Sequence, residues 1–302
     1  MPSSHDYIVD KRNKKIKIYI DGLFHERKNA KISVFDSGFL LGDGVWEGIR
    51  LYKKTFVHLS DHLDRLFDGA ETISMKIKQS KNDIANMLQE AVDYNSMITD
   101  AHIRLIISRG MKSTPYQSPK VTISDPTIVI IPEYKKPKPT LEVQGLTLGL
   151  VKTVRDDLVQ NPRVNSLSKH NCISACIEAE KLGYDEGLML DPQGYVATCN
   201  STNFFIIKHN EVWTSNNKYC LNGVTRKAVI RICKNNNIPV FEKNFRIDDV
   251  YDAEESFVTG TFAGIIPIVS IDNILICKGS RGPITKRLQA LYKSEIEKLT
   301  LV

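Results

Sequence analysis

One lysine stands in a run of small polar residues at 162–171, PRVNSLSKHN. Lys169 could attack a carbonyl carbon as a nucleophile or take a proton as a base, since one primary amine can serve both purposes in turn. The plain alternative is a lysine at a helix entrance with its ammonium in solvent. Three other features suit an anion. LNGVTRKAVIRIC, residues 221–233, passes from a turn at Gly223 into a helix, so the amides of Val224 and Thr225 would point out of a positive helix end. VTGTFAG, residues 258–264, ends a strand on threonine and glycine and offers hydroxyl and backbone donors in a tight loop. Arg65 lies beside the apolar stripe of its own helix. Singly, each has an ordinary explanation: a capped helix, a turn, a surface arginine. It is their combination that points to a phosphate-bearing ligand.

The elements that must position these groups are legible from periodicity. Short apolar runs at 16–20 and 32–35 read as strands, punctuated by Asp21, Gly22 and the glycines of GFLLGDG. From Ser60 the pattern switches. Ser60 can cap a helix, Asp61 favours its start, and Leu63, Leu66, Phe67, Ala70 and Ile73 share one face. A second helix is expected at about 82–94, then strands at 101–108 and 127–131. The lysines and prolines of PEYKKPKP mark an extended connection. The expected division is therefore residues 1–133, a linker at 134–140, and 141–302.

The second half opens with a strand at about 146–153 and the polar loop that holds Lys169. A helix follows and ends at Gly183, where glycine tolerates the left-handed conformation. Turn signals at Asp191 to Gly194 and at Lys208 to Asn210 separate further strands, and a helix from about Thr225 precedes a strand at 256–259. Strands and helices mix without a regular βαβ repeat, so the class is α+β.

Bulk properties exclude several alternatives. A chain of 302 residues with 42% apolar content can bury a core, and the net charge of +6 is spread along the sequence. Without a basic stripe interleaved with aromatics, nucleic acid is not an expected partner. No apolar run approaches the roughly 20 residues of a membrane helix, and the start lacks a signal core. Six cysteines show no CxxC pair and no disulfide framework. A cytoplasmic protein with reduced thiols, no metal site and no membrane partner is the expectation.

The ordered series DSGFLLGDGVWEGIRLY, HLDRLFDGA, IRLIISRG, GYDEGLMLD, NGVTR and FVTGTFAGIIPI resembles the class IV aminotransferases, the fold-type-IV pyridoxal phosphate enzymes. That family includes branched-chain and D-amino acid transaminases and aminodeoxychorismate lyase. The resemblance covers about residues 14–295. It implies two α/β domains with the cofactor in the cleft between them, a homodimer, and a small amino acid or 2-keto acid as substrate. It further implies cofactor contacts at Arg65, Thr198, Asn203, Gly223, Val224, Thr225 and Thr261, and a substrate pocket at Trp46, His102, Phe262 and Ala263. WEGIR is closer to the branched-chain type, and no Arg-x-His pair follows Gly110 as in the D-amino acid type.

Two central positions depart from the family. The lysine that anchors the cofactor falls on Asn165, which cannot form that bond, and the glutamate that faces the pyridine nitrogen falls on Thr198. Lys169, four residues beyond Asn165, is the candidate Schiff-base lysine, displaced by one turn. If a helix already runs through it, Lys169 shares a face with Ile173. A hydroxyl at Thr198 favours an unprotonated ring and hence lyase or replacement chemistry over ordinary transamination. Three readings stay open: an aminotransferase-like enzyme, a lyase or replacement enzyme on the same fold, and a non-catalytic scaffold that binds a phosphorylated ligand.

Overall fold

The computed structural model describes residues 3–158 and 160–301. The chain gathers into two units. The first is Ile8–Lys136 with Val164–Lys169, and the second is Met1–Tyr7, Pro137–Arg163 and His170–Val302. The main change of unit falls within 134–140, and two short stretches, at the start of the chain and at 164–169, side with the unit opposite to their sequence neighbours.

The first unit is built on β1 (Lys17–Ile20), β2 (Leu23–Glu26), α1 (Ser37–Leu41), β3 (Gly44–Tyr52), β4 (Thr55–Phe56), α2 (Leu59–Thr72), α3 (Lys81–Tyr94), β5 (Ala101–Ser108) and β6 (Thr127–Tyr134). Among the described residues its sheet is antiparallel in the order β2-β1-β6-β5-β3-β4. Alternation sends Val45, Glu47, Ile49 and Leu51 of β3 to one face and Trp46, Gly48 and Arg50 to the other. Val45, Ile49 and Leu51 join Ile103, Leu105 and Ile107 of β5 in a core closed by Leu63 and Leu66 of α2 and Ile84 and Leu88 of α3. At the start of α3, Ser80 accepts from the Asp83 amide at 3.1 Å while Asp83 accepts from the Ser80 amide at 2.8 Å, a reciprocal cap.

Two local expectations are corrected. No strand forms at 32–35: Ile32, Val34 and Phe35 stay exposed, and the Asp36 side chain, accepting from the Gly38 amide at 2.8 Å, draws the chain into α1 instead. Ser60 is not the cap of α2, because the helix begins at Leu59 with His58 as its left-handed N-cap residue.

The second unit contains α4 (Leu141–Gln144), β7 (Leu146–Leu150), α5 (His170–Leu182), β8 (Glu186–Leu190), β9 (Val196–Cys199), β10 (Asn203–Lys208), β11 (Glu211–Thr214), α6 (Val224–Asn235), β12 (Val240–Glu242), α7 (Ile247–Tyr251), β13 (Glu255–Gly260), β14 (Gly264–Ile271), β15 (Ile274–Leu275) and α8 (Pro283–Leu299). Its sheet is mixed, ordered β9-β8-β7-β14-β13-β10-β11-β12 among the described residues, with β15 on β14. One face buries Leu148, Leu188, Phe204, Ile206, Val258 and Ile266. On the other, Phe205 and Phe257 stack at 4.7 Å beneath α6 and α8. Because α5 starts at His170, Lys169 precedes the helix, and Ile173 is exposed. The condition for a shared helical face is therefore not met. No helix among the described residues is long and apolar enough to cross a membrane.

Candidate active site

In the first unit, Arg65 is no free surface cation. Its Nε donates to Glu47 Oε1 at 2.8 Å and its Nη2 to Glu47 Oε2 at 2.7 Å. Glu47 is fully buried, and its Oε2 also meets His62 Nδ1 at 2.7 Å. Burial alone would push the Glu47 carboxyl up, but the Arg65 charge, the His62 hydrogen bond and the Arg65 hydrogen bond together hold it down at about 2. A bidentate pair to a buried carboxylate fixes the guanidinium plane, which a lone arginine on a helix could not do. Sequence reading missed Glu47. Its signal was present: a charge at a position where alternation in WEGIR calls for an apolar residue.

Residues 164–167 complete the edge of β3. Leu167 N donates to Gly44 O at 3.0 Å, Trp46 N to Asn165 O at 3.0 Å, and Trp46 Nε1 to Ser166 O at 3.1 Å. Asn165, 5% exposed, donates from Nδ2 to Trp46 O at 2.7 Å. Its Oδ1 accepts from Lys169 Nζ at 3.0 Å, and the Lys169 ammonium also stands 5.2 Å from the Trp46 ring centroid. The structure thus brings Asn165, Lys169 and Trp46 into one cluster.

On the same face as Trp46, the Arg104 guanidinium lies 3.7 Å over the indole. Burial pulls the Arg104 pKa below the ordinary arginine value, with Glu133 and Glu47 acting in the opposite direction. Among the described residues no carboxylate forms an ion pair with it, which leaves a desolvated cation able to receive an anion. Nothing in the sequence distinguished Arg104 from other strand arginines. Gly48 is its cross-strand partner, and a Cβ there would stand 2.9 Å from His102 Cε1, so the glycine keeps space between Trp46 and His102.

In the second unit, the Thr198 hydroxyl donates to Thr202 O at 2.8 Å, so its proton is already placed. Thr202 Oγ1 and Ser201 Oγ each donate at 2.8 Å to Glu186, a buried carboxylate that sequence reading did not single out. Burial raises the Glu186 pKa, against the hydroxyls around it. Both oxygens of Glu186 are therefore engaged away from Thr198, which presents a neutral oxygen.

Gly223 is the N-cap residue of α6, with no side-chain cap, so the first amides of the helix, at Val224 and Thr225, keep their outward direction. Asn203 donates from Nδ2 to Leu221 O at 2.8 Å, and its Oδ1 lies 2.1 Å from where a Gly223 Cβ would stand. A Cβ there would push the Asn203 amide away from Leu221 O. Thr259, paired with Asn203 across β13 and β10, has a buried Oγ1 without a partner among the described residues. Cross-strand partners on one face lie close together. That orphan hydroxyl is therefore beside the start of α6. Thr261, Phe262 and Ala263 form the turn between β13 and β14, Phe262 being buried and the other two half-buried.

The sequence family described as Amino-transferase class IV matches residues 44–271. The chain belongs to the class IV aminotransferases. A putative branched-chain-amino-acid aminotransferase of Methanocaldococcus jannaschii is 36% identical, covering 92% of this chain and 96% of that protein. Branched-chain-amino-acid aminotransferase-like protein 2 of Arabidopsis thaliana is 33% identical over 93% of this chain, which spans only 50% of that longer protein. Among solved structures, a branched-chain aminotransferase from Thermoproteus uzoniensis with norvaline superposes at a TM-score of 0.84, with 29% identity and coverage of 93% and 94% of the two chains. Membership makes this class IV chain an aminotransferase-like enzyme of a pyridoxal phosphate-dependent family with the α+β fold of branched-chain aminotransferases.

The residues present fit the phosphate of that cofactor. An uncapped helix start, a glycine packed against the Asn203 amide and an orphan buried threonine hydroxyl supply donors and room.

Proposed function

We propose that this chain binds pyridoxal phosphate and acts on a small amino acid or 2-keto acid, with Lys169 doing the work that Asn165 cannot. The carrying observation is the 3.0 Å contact from Lys169 Nζ to Asn165 Oδ1. An asparagine oxygen lies about 3.5 Å from its own Cα, so the Lys169 amine is within about 6.5 Å of Asn165 Cα. A lysine side chain placed at 165 would carry its amine to about 6 Å when extended. Lys169 therefore brings an amine to the radius at which the family's own lysine would hold one.

The cofactor supplies a carbonyl carbon that receives the amino group and a ring that draws charge from the substrate Cα. Gly223, Val224, Thr225 and Thr261 would hold its phosphate, with Arg65 as the matching cation, oriented by Glu47. Asn203 sets the start of α6 through Leu221 O, and Thr198 would face the ring nitrogen. Lys169 would attach the cofactor and then take and return the proton at the substrate Cα. Trp46, His102, Phe262 and Ala263 would wall the side-chain pocket, and Arg104 would receive a carboxylate of the substrate.

One observation favours a second chemistry. Thr198 offers a neutral oxygen with its own proton given to Thr202 O, so it could only accept from a protonated ring nitrogen and would hold that proton far less firmly than a carboxylate does. A less electron-poor ring limits transamination and leaves loss or replacement of a Cβ substituent as the competing outcome.

The six unpaired thiols suit a cytoplasmic setting, and exposed Phe35, Phe39 and Leu41 offer apolar surface for a homodimer. The test is purified protein with pyridoxal phosphate. A yellow colour that resists dialysis in the wild type and is lost in Lys169→Ala supports the reading. A colour retained unchanged in Lys169→Ala refutes Lys169, and a protein that never retains the cofactor supports the scaffold. Keto-acid exchange against ammonia release from a serine-type substrate separates transaminase from lyase.

A further inference from the structure

The start of the chain packs within the second unit, on the turn between β9 and β10 and on the loop that carries Thr261 and Phe262. Ser4 is 3% exposed, and its Oγ lies 3.3 Å from Ser201 Oγ. His5 lays its ring parallel to Phe262, with centroids 6.0 Å apart and planes 6° from parallel. Asp6 closes a turn back to Ser3, receives Lys138 Nζ at 3.0 Å, and accepts from the Lys138 amide at 3.3 Å. The segment is thus tethered by an ion pair and a main-chain bond to Lys138, with a buried hydroxyl and an exposed imidazole facing the loops.

The buried carboxylate of Glu186 explains why the hydroxyl matters. A carboxylate away from water needs hydrogen-bond donors on its oxygens. Ser201 and Thr202 give two, and Ser4 stands behind Ser201 at 3.3 Å, where its hydroxyl can donate to the Ser201 oxygen and hold that donor in place. Thr202 is also the residue whose carbonyl receives the Thr198 hydroxyl, and the Cys199 amide bonds to that same carbonyl at 3.0 Å. A shift of Ser201 and Thr202 therefore moves Thr198. His5 acts on the other loop: Phe262 is buried in the turn after β13, with its ring covered by the exposed imidazole.

We propose that Ser4 and His5 are positioning residues of the candidate site, Ser4 setting the turn after β9 whose Thr202 carbonyl receives the Thr198 hydroxyl, and His5 fixing Phe262 in the loop that carries Thr261. Neither touches the reacting atoms in this scheme. Both act through residues that do.

The test uses the full chain with Ser4→Ala, His5→Ala and His5→Phe, read by hydrogen–deuterium exchange and by steady-state kinetics. The kinetic arm rests on the cofactor reading, whereas the exchange arm does not. Exchange should rise about tenfold at 198–203 in Ser4→Ala and at 260–264 in His5→Ala, with His5→Phe restoring the stacked surface and the slow exchange. The amino-donor KM should rise several-fold in His5→Ala with kcat within about twofold, the pattern of lost positioning. Unchanged exchange in both peptides overturns the proposal, as does failure of His5→Phe to restore it, or faster exchange with an unchanged KM. A wild-type protein that never turns over defeats the proposed function, while exchange alone still decides the roles of Ser4 and His5.

Discussion

Glu47→Gln is the most quantitative perturbation of the cluster around Arg65. The Glu47 carboxyl ordinarily titrates at 4.5 and is held at about 2 in the folded chain. A depression of this size corresponds to about 3 kcal/mol of stability at neutral pH, at 1.36 kcal/mol per unit. The folded value lies below the unfolded one, so the contribution is complete above pH 4.5 and is lost as pH falls through about 2. At pH 3 roughly 1 kcal/mol should remain. Urea unfolding of wild type and Glu47→Gln at pH 7 and pH 3 reads both quantities. The variant should be less stable by about 3 kcal/mol at pH 7, and the gap should narrow to about 1 kcal/mol at pH 3. A gap below about 1 kcal/mol at pH 7, or one that does not narrow in acid, would refute the view that Glu47 is a charged anchor. The same variant should bind pyridoxal phosphate more weakly, because Arg65 loses the fork that orients it.

Two further substitutions probe the site directly. Gly223→Ala places a Cβ against Asn203 Oδ1 and forces either that amide off Leu221 O or the start of α6 to move, so pyridoxal phosphate affinity should fall about tenfold or more in a fluorescence titration, with about 1–3 kcal/mol lost from stability. Arg104→Leu removes the cation over Trp46, which has no ion-pair partner among the described residues. Its kcat/KM for an acidic keto acid should fall roughly 10- to 100-fold, the range for losing one charged hydrogen bond, while stability changes little.

Much of the scaffold was legible because local patterns carried it. The stripe of Leu63, Leu66 and Ala70 placed α2, and Gly183, at φ 87°, ends α5 as its position after the apolar spacing requires. The strand expected at 32–35 failed because apolar content alone does not specify a pairing partner, and the side chain of Asp36 offered the backbone a turn. The grouping of residues 164–169 with β3 was not legible, since Asn165 and Trp46 are 119 positions apart and are joined by one backbone bond and one bond from the Asn165 side chain to the Trp46 carbonyl. The phosphate-binding residues could be marked from motifs, but not the groups that set them. Glu47 and Glu186 are buried carboxylates whose partners come from distant helices and loops, and a sequence shows a carboxylate without showing its donors. Lys169 was visible as an amine near a vacant catalytic position. Its contact with Asn165 Oδ1 came only from the three-dimensional arrangement.

The central claim is that Lys169 has taken over the task lost at Asn165. Borohydride reduction of the protein loaded with pyridoxal phosphate, followed by peptide mass mapping, tests it most directly. The account predicts one reduced cofactor adduct, on the peptide that carries Lys169. An adduct on any other lysine, or amino-acid turnover by a protein that yields no adduct at Lys169, would contradict it.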